Sequence, residues 1–211
     1  MIEPSTRLRA ARGMGKSETE AAIEVFQTLK RRGHPDAPPP TVSDGCGGIR
    51  EAMVEVYGKV AEYAGRGRPR TKKRPEDSQP YLQVVKQREK GRVVGLRLRV
   101  VYGNQEDVLR LLAHNTAYVE GTHLTWRHLG SRLTRKTPAY SQALEMRRAA
   151  AVWGDMVYNL IRPLKTLRLE VGDDPQRRGY PRTPAMAAGL TDHVWTVKEL
   201  LTTVPVSADN I

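Results

Sequence analysis

The sequence has one cysteine, no long apolar run and too few acids to balance its bases. A single thiol, Cys46, excludes an internal disulfide and any zinc site built from cysteines. No apolar run approaches the roughly 20 residues that a membrane-spanning helix needs. The opening Met1-Ile2-Glu3-Pro4-Ser5-Thr6-Arg7 lacks the apolar centre of a secretory signal. These absences lead us to expect a soluble, cytoplasmic chain with no membrane partner. What the chain does have is basic charge. Lys and Arg number 35 against 23 Asp and Glu, a formal net charge of +12 and a pI near 10.1. Such an excess favours a polyanionic partner, because each neutralised phosphate releases condensed counterions. It selects nucleic acid and no particular reaction, since a basic ribosome-bound protein would share it. The 211 residues suffice for one domain with a real core and a tail.

Patterning gives an α/β order without internal repeats. Thr6 to Arg12 is short and mixed, compatible with the end of a strand. Ser17 followed by Glu20 is a capping-box signature, and Ala22, Val25, Phe26 and Leu29 share one face. Together they predict an amphipathic helix over 17–32. Gly33 ends it, and Pro38-Pro39-Pro40 keeps the chain extended. Thr41-Val42-Ser43 predicts a minimal strand that delivers Asp44 at its end. Gly45, Gly47 and Gly48 then lead into a helix with Ile49, Ala52, Met53 and Val56 inward.

Residues 65–80 offer no apolar side chain to bury and predict an extended, flexible loop. Arg66, Arg68, Arg70, Lys72 and Lys73 are its candidate phosphate contacts. Arg66-Gly67-Arg68-Pro69 also resembles the core of an AT-hook, whose arginines enter the narrow minor groove of A·T-rich DNA. So short a motif arises easily in basic linkers, and nonspecific contact is the leading reading. Tyr81–Val85 and Arg92–Tyr102, with Lys90-Gly91 between them, predict a hairpin. Its Leu96, Leu98 and Val100 should be buried and its Arg97 and Arg99 should face solvent. A short helix at 105–113 and a long one from Ala139 to Ile161 follow, the latter with Trp153 and Tyr158 in the core. Residues 1–171 then form the main domain, and 172–211 a linker and helical tail.

Tyr118 to Thr137 concentrates the candidate chemistry. Glu120 alone heads a segment whose cations are Arg127, Arg132, Arg135 and Lys136. A helix of that kind suits a metal ion at one end and a phosphate backbone along its side. It equally suits a basic surface helix with Glu120 in water. Asp44 has the same two readings: a carboxylate at the mouth of an α/β sheet, or a cap in a turn. His114, His123 and His128 lack a spacing that establishes a zinc site, and Asp173-Asp174 reads as a solvated turn.

Three stretches carry a resemblance. Ser43-Asp44-Gly45 before a helix, Glu120 with Thr122-His123-Leu124-Thr125 and Arg132 to Thr137, and Tyr158 to Leu167 with its Arg162-Pro163 resemble DDE transposases of the insertion-sequence-one type. The likeness covers most of residues 1–200 and is strongest at 41–57, 118–137 and 158–167. It implies a ribonuclease-H-like core lacking its first strand, with a basic loop and β-hairpin inserted between Asp44 and Glu120. Those two residues would be the second and third catalytic acids. They would hold Mg²⁺ (or Mn²⁺) for in-line phosphoryl transfer, while Arg132, Arg135 and Lys136 grip DNA ends. The implied partner is DNA, as element ends and target, in a prokaryotic cell with nucleoid association. A homo-oligomer is left open.

The chain departs from that pattern in three places. The family's first acid lies on a strand upstream of a turn similar to Ile2–Leu8, where this chain begins. Glu3 is a poor substitute, so a truncated, DNA-binding but non-cleaving chain is expected. Gly121 stands where relatives tend to carry Arg, and Leu164 where His commonly follows the Arg-Pro pair. Two other readings stay beside this one: a non-catalytic DNA-binding remnant, and a basic RNA-binding protein unrelated to transposition.

Overall fold

The structure, a computed structural model, describes residues 1–62, 65, 71–75, 79–111, 117–133, 136, 138–170 and 179–203. It is mixed α/β, with a small mixed sheet and several helices. The chain separates into two compact units, one of Met1 with Ala10–Glu120 and one of Ile2–Arg9 with Gly121–Ile211. Among the described residues no helix is long and apolar enough to cross a membrane.

The first unit is built on two helices and a sheet. Helix α1 (Glu18–Arg31) starts where Ser17 accepts the Glu20 backbone N–H, as its capping signature requires. Strand β1 (Thr41–Ser43) turns into α2 (Gly47–Tyr57), and α1 packs against α2. Phe26, Leu29, Ala52, Met53, Tyr57 and Tyr81 form the core between these helices and one face of the sheet. Complete burial of Phe26 and Met53 contributes about 1.5–3 kcal/mol each. Phe26 and Tyr57 meet edge to face at 6.2 Å, and the Tyr57 hydroxyl donates to His34 O at 3.0 Å. On the sheet's other face Leu82 packs with Val108.

The sheet order is β1-β4-β5, with β4 (Tyr81–Glu89) parallel to β1 and antiparallel to β5 (Arg92–Tyr102). The hairpin turns at Lys90 and Gly91, whose φ values of 47° and 82° are the left-handed pair that a two-residue type I′ turn needs. Helix α3 (Gln105–Leu111) follows β5. Residues 65–80 are not wholly loop. Lys73–Arg74 (β3) pairs antiparallel with Lys59–Val60 (β2), and Lys73 is anchored on Glu55 of α2.

The second unit begins with Ile2–Arg9, a turn closed by an antiparallel bridge between Ile2 and Arg9. The segment is held by α5 (Leu144–Met156) and the single π-helical turn Val157–Ile161 that continues it. Asn159 Oδ1 accepts the Arg9 N–H at 3.0 Å and its amide donates to Arg9 O at 3.1 Å, an imitation of one rung of a strand ladder. The Arg9 guanidinium is buried against the Tyr158 ring, 3.7 Å from its centroid, and pairs with Asp155 at 3.1 Å. Burial pushes the Tyr158 hydroxyl up, and the cation of Arg9 partly offsets that. Short helices α6 (Pro184–Ala187), capped by buried Thr183, and α7 (Val197–Thr202), opened by a Thr196–Glu199 capping box, complete the unit. The expected long helix starts later than Ala139, at Leu144, and Trp153 is 42% exposed instead of buried. Its helix shows apolar side chains on most of its circumference, so periodicity alone could not say which face is covered.

Candidate nucleic-acid interface

Asp44 lies where β1 leaves the sheet. Ser43 is opposite Gln83, so the next residue along β1 emerges beside Val84. The Asp44 carboxylate is exposed, and its Oδ1 accepts the Cys46 backbone N–H at 3.2 Å. That Asx turn aims the chain into α2. A buried polar network braces it from below. Ser43 Oγ and the Tyr81 hydroxyl are 2.8 Å apart, and Gln83 Nε2 donates to Tyr81 at 3.0 Å and to Cys46 O at 3.3 Å. Burial pushes the Tyr81 hydroxyl up, and the bonds from Ser43 and Gln83 only partly reverse it. Cys46 donates its thiol to Glu18 at 2.8 Å. That bond, with burial behind it, raises the thiol further from its reactive thiolate form.

Glu120 stands in the first turn of α4 (Ala117–Leu129), on an exposed stretch. Lys86 Nζ donates to its Oε1. Lys86 sits three residues beyond Gln83 on β4, so Glu120 is held a short way along β4 from the point where β1 ends and hands on Asp44. A two-ion site asks for more than this. Among the described residues no group of three or more His, Cys, Asp or Glu converges on a point, and Glu120 already carries a lysine. Asp44 and Glu120 are the residues that would hold the Mg²⁺ or Mn²⁺ of the resemblance. Glu3 is occupied elsewhere. Its carboxylate closes its own turn, accepting from Ser5 N at 2.9 Å, Ser5 Oγ at 2.8 Å, Thr6 N at 2.6 Å and Thr6 Oγ1.

The expected DNA-contacting cations divide into several groups. Arg66, Arg68, Arg70 and Arg135 lie outside the described residues, as do His114 and Asp173-Asp174. Lys72 is exposed. Lys73 is half-exposed and tied to Glu55 at 2.7 Å, which removes it from the most available cations. Arg127 is exposed on α4, and Arg132, on the 3-10 turn Ser131–Leu133, donates to Ser141 at 3.2 Å. Lys136 is exposed with a left-handed φ of 57°.

A cationic feature outside that set is the outer half of the hairpin. β1 pairs with β4 only as far as Gln83, and among the described residues no strand covers β4 beyond it or the outer edge of β5. From Val84 to Glu89 the hairpin is thus a two-stranded ribbon, roughly 20 Å long at about 3.3 Å per residue. Lys86, Arg88, Lys90, Arg92, Arg97 and Arg99 are all exposed on it, with Glu89 as its acid. Register places Gln87, Arg92, Arg97 and Arg99 on one face and Lys86, Arg88, Val93, Leu96 and Leu98 on the other. The expected burial of Leu96 and Leu98 is overturned: they are 55% and 39% exposed. Only Val100, opposite Leu82, reaches the core on that side. The alternation of Lys86, Arg88 and Lys90 with the register at Arg97 and Arg99 was the signal that could have marked this ribbon.

Compared with models of known families, with curated proteins and with solved structures, the chain gives no match in any of the three.

Proposed function

We propose that the chain is a transposase-related DNA-binding protein whose core is of the ribonuclease-H-like kind and which does not itself cut strands. One arrangement carries the reading. The helix acid that the resemblance makes catalytic, Glu120, is held by Lys86 of the basic ribbon, three residues along β4 from Gln83, the last partner of β1 before Asp44. Such a sheet end suits a nucleic-acid backbone. The basic ribbon leads away from it, and the whole chain carries a net +12. The two acids alone do not make the pocket that phosphoryl transfer needs, where misplacement by about 1 Å can cost 10²-fold in rate.

The test measures affinity for a labelled 40-base-pair duplex by fluorescence anisotropy across a salt series, then strand cleavage with Mg²⁺ or Mn²⁺. Log K should fall against log salt by about 0.9 for each phosphate contacted, for a slope of several units. No cleavage is expected. A flat salt dependence, or a preference for structured RNA over duplex DNA, sinks the binding half of the reading. Glu120-dependent cleavage sinks the other half.

A further inference from the structure

From the ribbon's dimensions and charge we infer that the exposed outer part of the hairpin, residues 86–99, inserts into the major groove of B-form DNA, with Gln87, Arg92, Arg97 and Arg99 toward the base edges. This rests on the DNA-binding reading above and names how the duplex is held. The strands are about 4.8 Å apart, and with side chains on both faces they exceed the minor groove's width of about 6 Å. The major groove, about 12 Å wide and 8.5 Å deep, admits a two-stranded ribbon. Among the described residues no strand covers either edge of the ribbon beyond Gln83, and its side chains are mostly exposed from Lys86 on, so it enters without stripping any strand from the sheet.

The two faces divide the work. Gln87 and Arg97 carry the side-chain types that bond adenine and guanine edges in pairs. Gly95 stands opposite Gln87, and a Cβ there would come within 3.0 Å of Gln87 Oε1. The missing side chain thus leaves that amide uncrowded. Arg88 and Lys90 remain for the phosphate walls, while Lys86 is engaged with Glu120. Glu89, the ribbon's acid, lies opposite Arg92 at the tip, next to the turn. The register shift between Gln87 and Arg88 is a β-bulge, and a bulge adds right-handed twist, in the sense of the groove's own curve.

Dimethyl sulfate footprinting separates the grooves, because it methylates guanine N7 in the major groove and adenine N3 in the minor groove. The full chain on the 40-base-pair duplex should protect guanine N7. Arg92→Ala/Arg97→Ala/Arg99→Ala should lose that protection, bind at least tenfold more weakly and flatten the salt slope. Lys198→Ala, an exposed control on α7, should do neither. Circular dichroism checks that the triple variant is folded. Binding with guanine N7 unprotected, or protection confined to adenine N3, overturns the inference while leaving DNA binding intact. So does equal affinity for double-stranded RNA, whose deep, narrow major groove excludes a ribbon. No duplex binding at all overturns both readings.

Discussion

Replacing Arg9 by Met tests the joint that ties the N-terminal segment into the second unit. The substitution keeps an apolar stem of similar length and removes the guanidinium. It deletes the ion pair to Asp155 at 3.1 Å, the bond from Nη2 to Thr122 O at 3.4 Å, and the stacking on Tyr158. Breaking a buried pair from one side costs about 3–5 kcal/mol. Asp155 is the softer partner. Its side chain is 18% exposed and keeps the Trp126 indole N–H at 3.1 Å, which favours the lower end. The lost cation–π contact adds about 1–2 kcal/mol, and a Met sulfur against the rings returns part of it. The expected loss is about 3 kcal/mol. Trp126, Trp153 and Trp195 are the chain's tryptophans, and all lie in the second unit. Their emission in urea therefore reports that unit alone. With a slope of about 1–1.5 kcal/mol/M, the midpoint should fall by about 2–3 M. A fall below about 0.5 M would refute the reasoning. So would simple additivity of Arg9→Met with Asp155→Asn, since groups in one pair should couple.

Three further perturbations are expected to behave as follows. Partial burial pushes the Glu3 carboxyl up, but the bonds from Thr6 and Ser5 outweigh it and bring the value down to about 2. A depressed carboxyl stabilises the fold above its unfolded value near 4.5 and loses that contribution as pH falls toward 2. Glu3→Gln should therefore melt below the parent at pH 6, by under about 1 kcal/mol at so solvated a site, and match it near pH 2; a gap that widens in acid would contradict this. A Cβ on Gly13 would sit 1.7 Å from Ala21 O, backbone that cannot rotate aside. Gly13→Ala should cost about 3 kcal/mol or more, and an unchanged circular dichroism melt would show the approach to be looser. Lys86→Ala removes a half-exposed partner of Glu120, so stability should change by less than about 1 kcal/mol. The variant should still leave DNA uncut with Mn²⁺, and cleavage would show that a lysine was all that kept the acids idle.

What was legible in the sequence is what local chemistry decides. Ser17 caps α1, Lys90-Gly91 turns the hairpin, and the short strand before Asp44 hands it to a helix. Each signal spans a handful of residues, so one window contains both cause and effect. Leu96 and Leu98 went the other way because alternation defines two faces and is silent on whether anything covers either. Lys73–Arg74 pairs with a strand fourteen residues upstream, and so short a strand has no pattern of its own. For the candidate site, the placement of Asp44 at a strand end and Glu120 on a helix was readable. The lysine on Glu120 comes from 34 residues away, and the clamp of Asn159 on Arg9 from 150. Contacts that long are decided by packing.

That last separation has a consequence in time. Arg9 meets Asp155 and Asn159 across 146 and 150 residues. Synthesis at roughly 5–20 residues per second puts some 7–30 s between the emergence of one side and of the other. The first unit, from Ala10 to Glu120, has its core residues in hand well before then. Ile2–Arg9 must therefore wait with its own turn closed and its Arg9 N–H served by water until Asn159 emerges. Its Arg9 and the charged cap at Glu3 keep that segment hydrated until α5 arrives, which makes the order of synthesis, as much as the final contacts, a constraint on what these residues can be.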